Sequence, residues 1–169
     1  MLHDLSIFLL PALMIVAATT DIMAYRIPNW LTILIAILFF PMALLTHMPL
    51  AEFGSHLLAG VILFFVGYAL FAVGLFGGGD SKLMAAAGLW FGTSQTLPFL
   101  VMTALAGGLL AAGVMAWSVF MVMWDFHDPV AGTEIDKKVR KLKPKLPYGF
   151  AFAVGAILAF PHTWWMNVG

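Results

Sequence analysis

The stretch Gly77-Gly78-Gly79-Asp80-Ser81-Lys82 stands directly after a long apolar run, and the rest of the chain is read from it. Three glycines end the run and an aspartate is placed where the hydrocarbon stops. A second aspartate, Asp21, holds the matching place at the end of the first apolar run. It is followed by Arg26-Ile27-Pro28-Asn29, a basic residue and then a helix-breaking turn. Each carboxylate therefore sits beside a device that opens a helix.

The surroundings of these two acids are apolar throughout. Of 169 residues, 63% are hydrophobic and 9% charged, and the mean hydropathy is +1.01. Water-soluble domains run at about 45–50% apolar and about 25% charged, so the composition is that of an integral membrane protein. A soluble core of this chain length leaves too much surface exposed to hide so much apolar material. A net charge of zero says nothing about nucleic acid, and no basic face is available to hold it, so no nucleic-acid partner is expected. The absence of cysteine excludes disulfides and thiolate metal sites. The reading is a single membrane-embedded domain over residues 1–169. Met1 to Ser6 carries no Lys or Arg, so the first run lacks the basic start of a secretory signal and is expected to be a retained helix.

About 20 residues cross a hydrocarbon core at about 1.5 Å rise each. On that ruler the expected fold class is all-α, a bundle of about six transmembrane helices. The spans are Leu5 to Ala24, Trp30 to Thr46, His56 to Phe76, Leu83 to Phe91, Leu97 to Trp124 and Pro147 to Trp165. The fourth is short, and begins below the bilayer surface or borrows residues from the glycine turn. His47 to Ser55 reads as a polar connector and Gly92 to Gln95 as a short loop. Pro28 suits the start of the second helix, and Asn29 is suited to local hydrogen bonds. Gly60, Gly67 and Gly74 recur every seven residues as one close-packing stripe, and Ala104, Gly108 and Ala112 form another. His56 and the pair Trp164-Trp165 read as interfacial residues. Asp125 to Leu146 is the one sizeable polar segment.

Charge sets the orientation. With six spans, Arg26, Lys82 and the six basic residues from Lys137 to Lys145 all fall on one side. By the positive-inside rule that side is cytoplasmic, with both termini outside. The lysine-rich run is expected to lie against anionic head groups. Asp125-Phe126-His127-Asp128 reads as the start of a solvated loop, in preference to a metal cluster.

Asp21 and Asp80 consequently share the cytoplasmic end of the bundle. Ionisable residues at membrane depth are costly and usually face the bundle interior or a water cavity. Two carboxylates that approach closely cannot both ionise at low cost, so one keeps a proton. The ionised partner is then a general base for a shared water, and the protonated one a donor to the attacked carbonyl. Such chemistry needs no metal or cofactor. The glycines beside Asp80 allow close backbone approach by an extended peptide. Each acid taken alone reads more readily as a helix cap or interfacial residue than as a catalyst; it is the pair on one side, with the glycines, that points to function.

The ordered set Asp21, then Arg26-Ile27-Pro28-Asn29, then Gly77-Gly78-Gly79-Asp80-Ser81-Lys82-Leu83 resembles the prepilin peptidases, or type IV leader peptidases, which are GxGD membrane aspartyl proteases. Leu146-Pro147-Tyr148-Gly149-Phe150-Ala151 resembles the Pro-and-Gly motif that opens the family's last helix. The resemblance implies Asp21 and Asp80 as the catalytic pair and Gly77 and Gly79 as motif glycines, with Gly78 between them. It implies Lys82 as a residue that positions the turn at the interface, and motif or substrate contacts from Pro28, Asn29, Pro147, Tyr148 and Gly149. It further implies a prepilin or pseudopilin substrate, with a short basic leader and an apolar helix, cut after a small residue. The long bacterial form carries a cytoplasmic insert with paired cysteines and methylates the new N-terminus. Neither cysteines nor room for that insert exist here, so peptidase activity without methyl transfer is expected. The small size and Leu-Pro-Tyr-Gly look most like the peptidases of tight-adherence (Flp-type) pilus systems; archaeal preflagellin peptidases are a related possibility. Two other classes remain open at this level: a small proton-coupled transporter using the same acids, and a non-catalytic assembly scaffold. Which pilin is cut, and the oligomeric state, are not written in the sequence.

Overall fold

The computed structural model describes residues 2–125 and 146–167. The described chain is all-α. Its elements are α1 (Leu2–Ala24), α2 (Asn29–Leu45), α3 (Leu50–Ala72), α4 (Gly78–Asp125), α5 (Tyr148–Ala159), a 3₁₀ turn (Phe160–His162) and α6 (Trp164–Asn167). Ser6–Ala24, Leu50–Ala72 and Gly78–Met121 are long and apolar enough to cross a membrane, and Asn29–Leu45 and Tyr148–His162 are shorter apolar helices. Large apolar side chains such as Phe8, Phe65 and Leu109 are exposed around the bundle. Contiguous apolar surface of this extent marks contact with lipid. The protein is an all-α membrane protein.

α4 is two helical arms joined at one residue. Gly92 has φ +62° and ψ 175° in the middle of it, a backbone region open essentially to glycine alone. The first arm, residues 78–91, lies antiparallel to α3. Gly78 faces Phe71, Gly67 faces Ser81 and Met84, Gly60 faces Leu89, and Gly92 faces His56. This order carries the arm along nearly the whole of α3. It does so in few residues because glycine and alanine at the contact let the two backbones close together. The second arm, residues 93–125, turns back along α5: Thr103 is pressed on Gly155, and a Cβ built on Gly107 would lie 3.5 Å from the Ala151 Cβ. The expected loop at Gly92 to Gln95 is thus a single-residue break. Ser55 holds it by accepting the Thr93 N–H at 3.1 Å and bonding the Thr93 hydroxyl at 2.8 Å. With that reversal, six helical passes run alternately up and down.

Several sequence expectations are corrected here. The connector His47 to Ser55 is mostly helix, because α3 starts at Leu50 behind Pro49. Gly74 is not part of the packing stripe: α3 has ended, Gly74 adopts φ +77°, and nothing lies near it. In the second arm Gly107, not Gly108, faces α5, and Ala104, Gly108 and Ala112 are exposed. Among the residues of α4 whose burial is described, Phe99 is the last buried one. The residues from Lys137 to Lys145, and 126–128 of the Asp125 to Asp128 group, lie outside the described residues.

The core at the end of the bundle away from Asp21 is an aromatic knot. Trp90 and Trp165 are fully buried, their ring centroids 5.1 Å apart. The Trp90 Nε1–H donates to the Ile35 carbonyl at 2.9 Å, and the Trp165 Nε1–H donates to the Trp90 carbonyl at 2.7 Å. His56 is buried too, stacked on Phe39 with its Nδ1 2.6 Å from the Leu89 carbonyl oxygen. Neither Trp165 nor His56 is interfacial, because each has a buried carbonyl to satisfy its polar atom. Pro161 ends the last helix in the 3₁₀ turn, and the chain folds Trp165 inward.

A Gly92→Ala change tests the reversal. The added Cβ would lie 3.0 Å from the His56 ring in a backbone region that alanine resists. A cost of about 1–3 kcal/mol is expected, seen as a lower Tm of the detergent-purified protein. Gly108→Ala, where nothing lies within 4 Å, should leave Tm unchanged. Equal Tm values for both would mean that the Gly92 conformation is unimportant to stability.

Candidate active site

α1 ends on a left-handed residue. Tyr25 has φ +49° and its N–H closes onto the Asp21 carbonyl at 2.8 Å. A non-glycine residue in this region is uncommon and stores strain, which gathers at functional sites. The turn then runs through Arg26 and Ile27 to Pro28, the N-cap of α2. It leaves Asp21 in the last turn of α1, 5% exposed, facing the bundle.

Asp80 is placed by the start of α4. The Ser81 N–H donates to the Gly77 carbonyl at 3.1 Å, which makes Gly77 the N-cap. The Asp80 carboxylate reaches back and accepts the Gly77 N–H at 3.1 Å through Oδ2. That is one half of a capping box, satisfying a helix N–H that has no partner within the helix. Asp80 is therefore a cap as well as a cavity residue.

Asp21 accepts a helix N–H from further away. Gly149, in the first turn of α5 behind the N-cap Pro147, donates its N–H to Asp21 Oδ2 at 2.7 Å. The partial positive charge of that helix start complements a carboxylate. The approach is close enough that a Cβ on Gly149 would lie 2.9 Å from both the Asp21 Cβ and Oδ2. Each aspartate thus has one oxygen pinned by a backbone N–H from a different helix start.

These placements converge on one cavity of about 290 Å³, lined by Asp21, Asp80, Gly77, Gly78, Gly79 and the turn from Tyr25 to Ile27. Lys82 and Asn29 lie beside the cavity, tied to each other: Lys82 Nζ donates to Asn29 Oδ1 at 2.9 Å. Asn29 therefore bonds across to α4 through its side chain, where the sequence suggested only a local turn. Tyr148 faces Phe76, with ring centroids 5.4 Å apart, and does not line the aspartate cavity. Among the described residues no group of His, Asp and Glu is arranged to hold a metal ion.

Ile27 is the residue that sequence reasoning passed over. It is buried, its Cβ 3.2 Å from a Cβ built on Gly79 and its Cδ1 3.1 Å from one built on Gly149. One apolar side chain thus wedges between the backbones that hold Asp80 and Asp21. The signal was its place inside the Arg-Ile-Pro-Asn turn: a branched apolar residue set between Arg26 and the helix-starting Pro28.

The arrangement suits proton transfer at a peptide bond: two carboxylates and a run of glycine backbone line one cavity. Comparison with curated proteins and with solved structures yields no match. The model of the type IV leader peptidase family does match, over residues 8–112, which includes Asp21, the Ile-Pro-Asn turn and the whole glycine–aspartate stretch. Since that match takes in well over half of the chain, the protein belongs to the type IV leader peptidase family.

Proposed function

We propose that this membrane peptidase is an aspartic-type endopeptidase that removes the basic leader of prepilins or pseudopilins at the cytoplasmic face of the inner membrane. The observation that carries the reading is the shared cavity of Asp21 and Asp80 at one end of the bundle. One carboxylate, ionised, takes a proton from a water in the cavity as that water attacks the scissile carbonyl carbon. The other, protonated, donates to the carbonyl oxygen, and the tetrahedral intermediate forms. On collapse the C–N bond breaks, the leaving amine takes the proton held by the base, and the second carboxylate takes back its proton as the C=O re-forms. The Gly149 and Gly77 N–H groups keep the pair oriented through these steps.

Sidedness follows from charge. Arg26 and Lys82 lie at the aspartate end, and positive residues mark the cytoplasmic side. With six passes, both termini are outside. The small size and the Leu-Pro-Tyr-Gly stretch favour the peptidases of Flp-type pilus systems, without methyl transfer.

Co-expression of the chain with an Flp-type prepilin tests the reading. A shortened pilin is expected, with a new N-terminus directly after the small residue that ends the leader and no methyl group on it. A full-length pilin beside normally inserted protein would sink the substrate assignment.

A further inference from the structure

The turn between α1 and α2 does more than reverse the chain. Tyr25 takes a left-handed backbone, φ +49°, and closes onto the Asp21 carbonyl. A strained conformation of this kind persists only where its surroundings hold it. Two residues later the chain delivers Ile27 into the wall of the aspartate cavity, where it is buried.

The two ends of the Ile27 side chain meet different partners. At its base, Cβ lies 3.2 Å from a Cβ built on Gly79, the residue ahead of Asp80, with the Ile27 carbonyl oxygen and nitrogen 3.4 and 3.6 Å from the same point. At its tip, Cδ1 lies 3.1 Å from a Cβ built on Gly149. The Asp21 Cβ and Oδ2 lie 2.9 Å from that second point, and the Gly149 N–H is the donor that holds Oδ2. Ile27 thus fills the space that side chains at 79 and 149 would take. It reaches from the backbone that carries Asp80 to the backbone that pins Asp21. A close-packed interior does not refill a gap of methyl size, so the contact atoms around a trimmed tip lose their partner.

We propose that Ile27 is a positioning residue for cleavage: its Cδ1 fixes the Gly149 backbone, and through it the Asp21 carboxylate, relative to the helix start that carries Asp80. The inference rests on the peptidase reading above and adds a residue that moves no proton itself. A side chain that only filled the core would set stability and nothing else. A spacer sets the geometry of the pair, and acid–base chemistry is sensitive to that geometry at about the 1 Å level.

Trimming the tip separates the two roles. Ile27→Val removes Cδ1 and leaves Cβ against Gly79; Ile27→Leu keeps every carbon and still reaches as far as Cδ. With kcat referred to the folded enzyme, Ile27→Val is expected to lower it about 10-fold at an unchanged KM. Ile27→Leu is expected to stay within about 3-fold of wild type, as a volume-conserving exchange. The pH profile should move as well. Carboxylates held less firmly together repel each other less, so the shared proton is lost at lower pH and the basic limb of the Ile27→Val profile moves down. Tyr25 and Arg26, the other titratable residues lining the cavity, are the same in both variants. A wild-type kcat and pH profile in Ile27→Val, or equal losses in the Val and Leu variants, makes Ile27 core packing and overturns the proposal.

Gly149→Ala supplies a second test, because its methyl would meet Cδ1 as well as Asp21. With Cδ1 gone, the start of α5 has room to shift. The double variant Ile27→Val/Gly149→Ala is expected to lose at least about 3-fold less activity than the product of the two single losses, since residues in contact do not act additively. Losses that simply multiply would mean that Ile27 does not act through Gly149, and the proposal falls. A wild-type chain that inserts normally and cuts no prepilin overturns the peptidase reading itself, a result distinct from cleavage that is indifferent to residue 27.

Discussion

Asp21→Asn and Asp80→Asn each lower prepilin cleavage by at least about 100-fold, the range expected for loss of a general acid or base. The substitutions are chosen to spare the fold. An asparagine oxygen still accepts the N–H of Gly149 or of Gly77, so the contacts of 2.7 and 3.1 Å that hold each side chain are kept. What is lost is the carboxylate chemistry: an amide can neither take the proton of water nor hand one on. Because the pair acts as a unit, the double variant should be little worse than either single one. Asp80→Ala provides the contrast, since it also removes the cap of α4, at a cost of about 1 kcal/mol to the helix start. Gel mobility of a co-expressed pilin, with membrane levels of each variant measured in parallel, is the readout. Retained cleavage by either Asn variant would remove the dyad as the catalytic pair and leave the cleavage to other residues.

Gly149→Ala is expected to cost about 10- to 100-fold in cleavage while the protein still accumulates in the membrane. The new methyl would meet the Asp21 Cβ and Oδ2 at 2.9 Å and the Ile27 Cδ1 at 3.1 Å. The Asp21 Cβ is anchored to α1, so relief requires α5 to back away or the carboxylate to turn. Either movement breaks the bond that orients Asp21. A misplacement near 1 Å in a catalytic group is worth about 100-fold in rate. The loss should appear in kcat more than in KM, because Gly149 touches the acid that does the chemistry. Full activity would show that Asp21 does not depend on the start of α5.

The acids themselves were legible in the sequence because membrane solvation makes them so. A charged group in a chain that is 63% hydrophobic stands out, and counting spans and basic residues is enough to put Asp21 and Asp80 at one end. The passes were legible for the same reason: hydrocarbon thickness sets their length. The caps were legible in part, with Pro28 and Pro147 just ahead of their helices. Gly92 was visible only as the start of a short loop. A periodicity argument has no means of telling a four-residue loop from one residue in a glycine-only conformation.

Other features were hidden by the nature of the interactions. His56 and Trp165 look like interfacial residues because their polar atoms seem to need water. In fact the Leu89 and Trp90 carbonyls serve them from within the core. Gly74 shares the seven-residue spacing of Gly60 and Gly67 but lies past the end of α3, where spacing along a helix has no meaning.

By itself, then, the sequence determined the solvent this protein lives in, the number of passes and the two carboxylates at one end. Each of these depends on local composition and on distance along the chain. Only the tertiary structure decided what holds the acids: Gly149 arriving 128 residues after Asp21 to donate its N–H, Ile27 wedged between the backbones at Gly79 and Gly149, and Lys82 reaching across to Asn29 at the start of α2. These are contacts between helix ends far apart in the chain. Nothing in the spacing of residues fixes them until the helices pack.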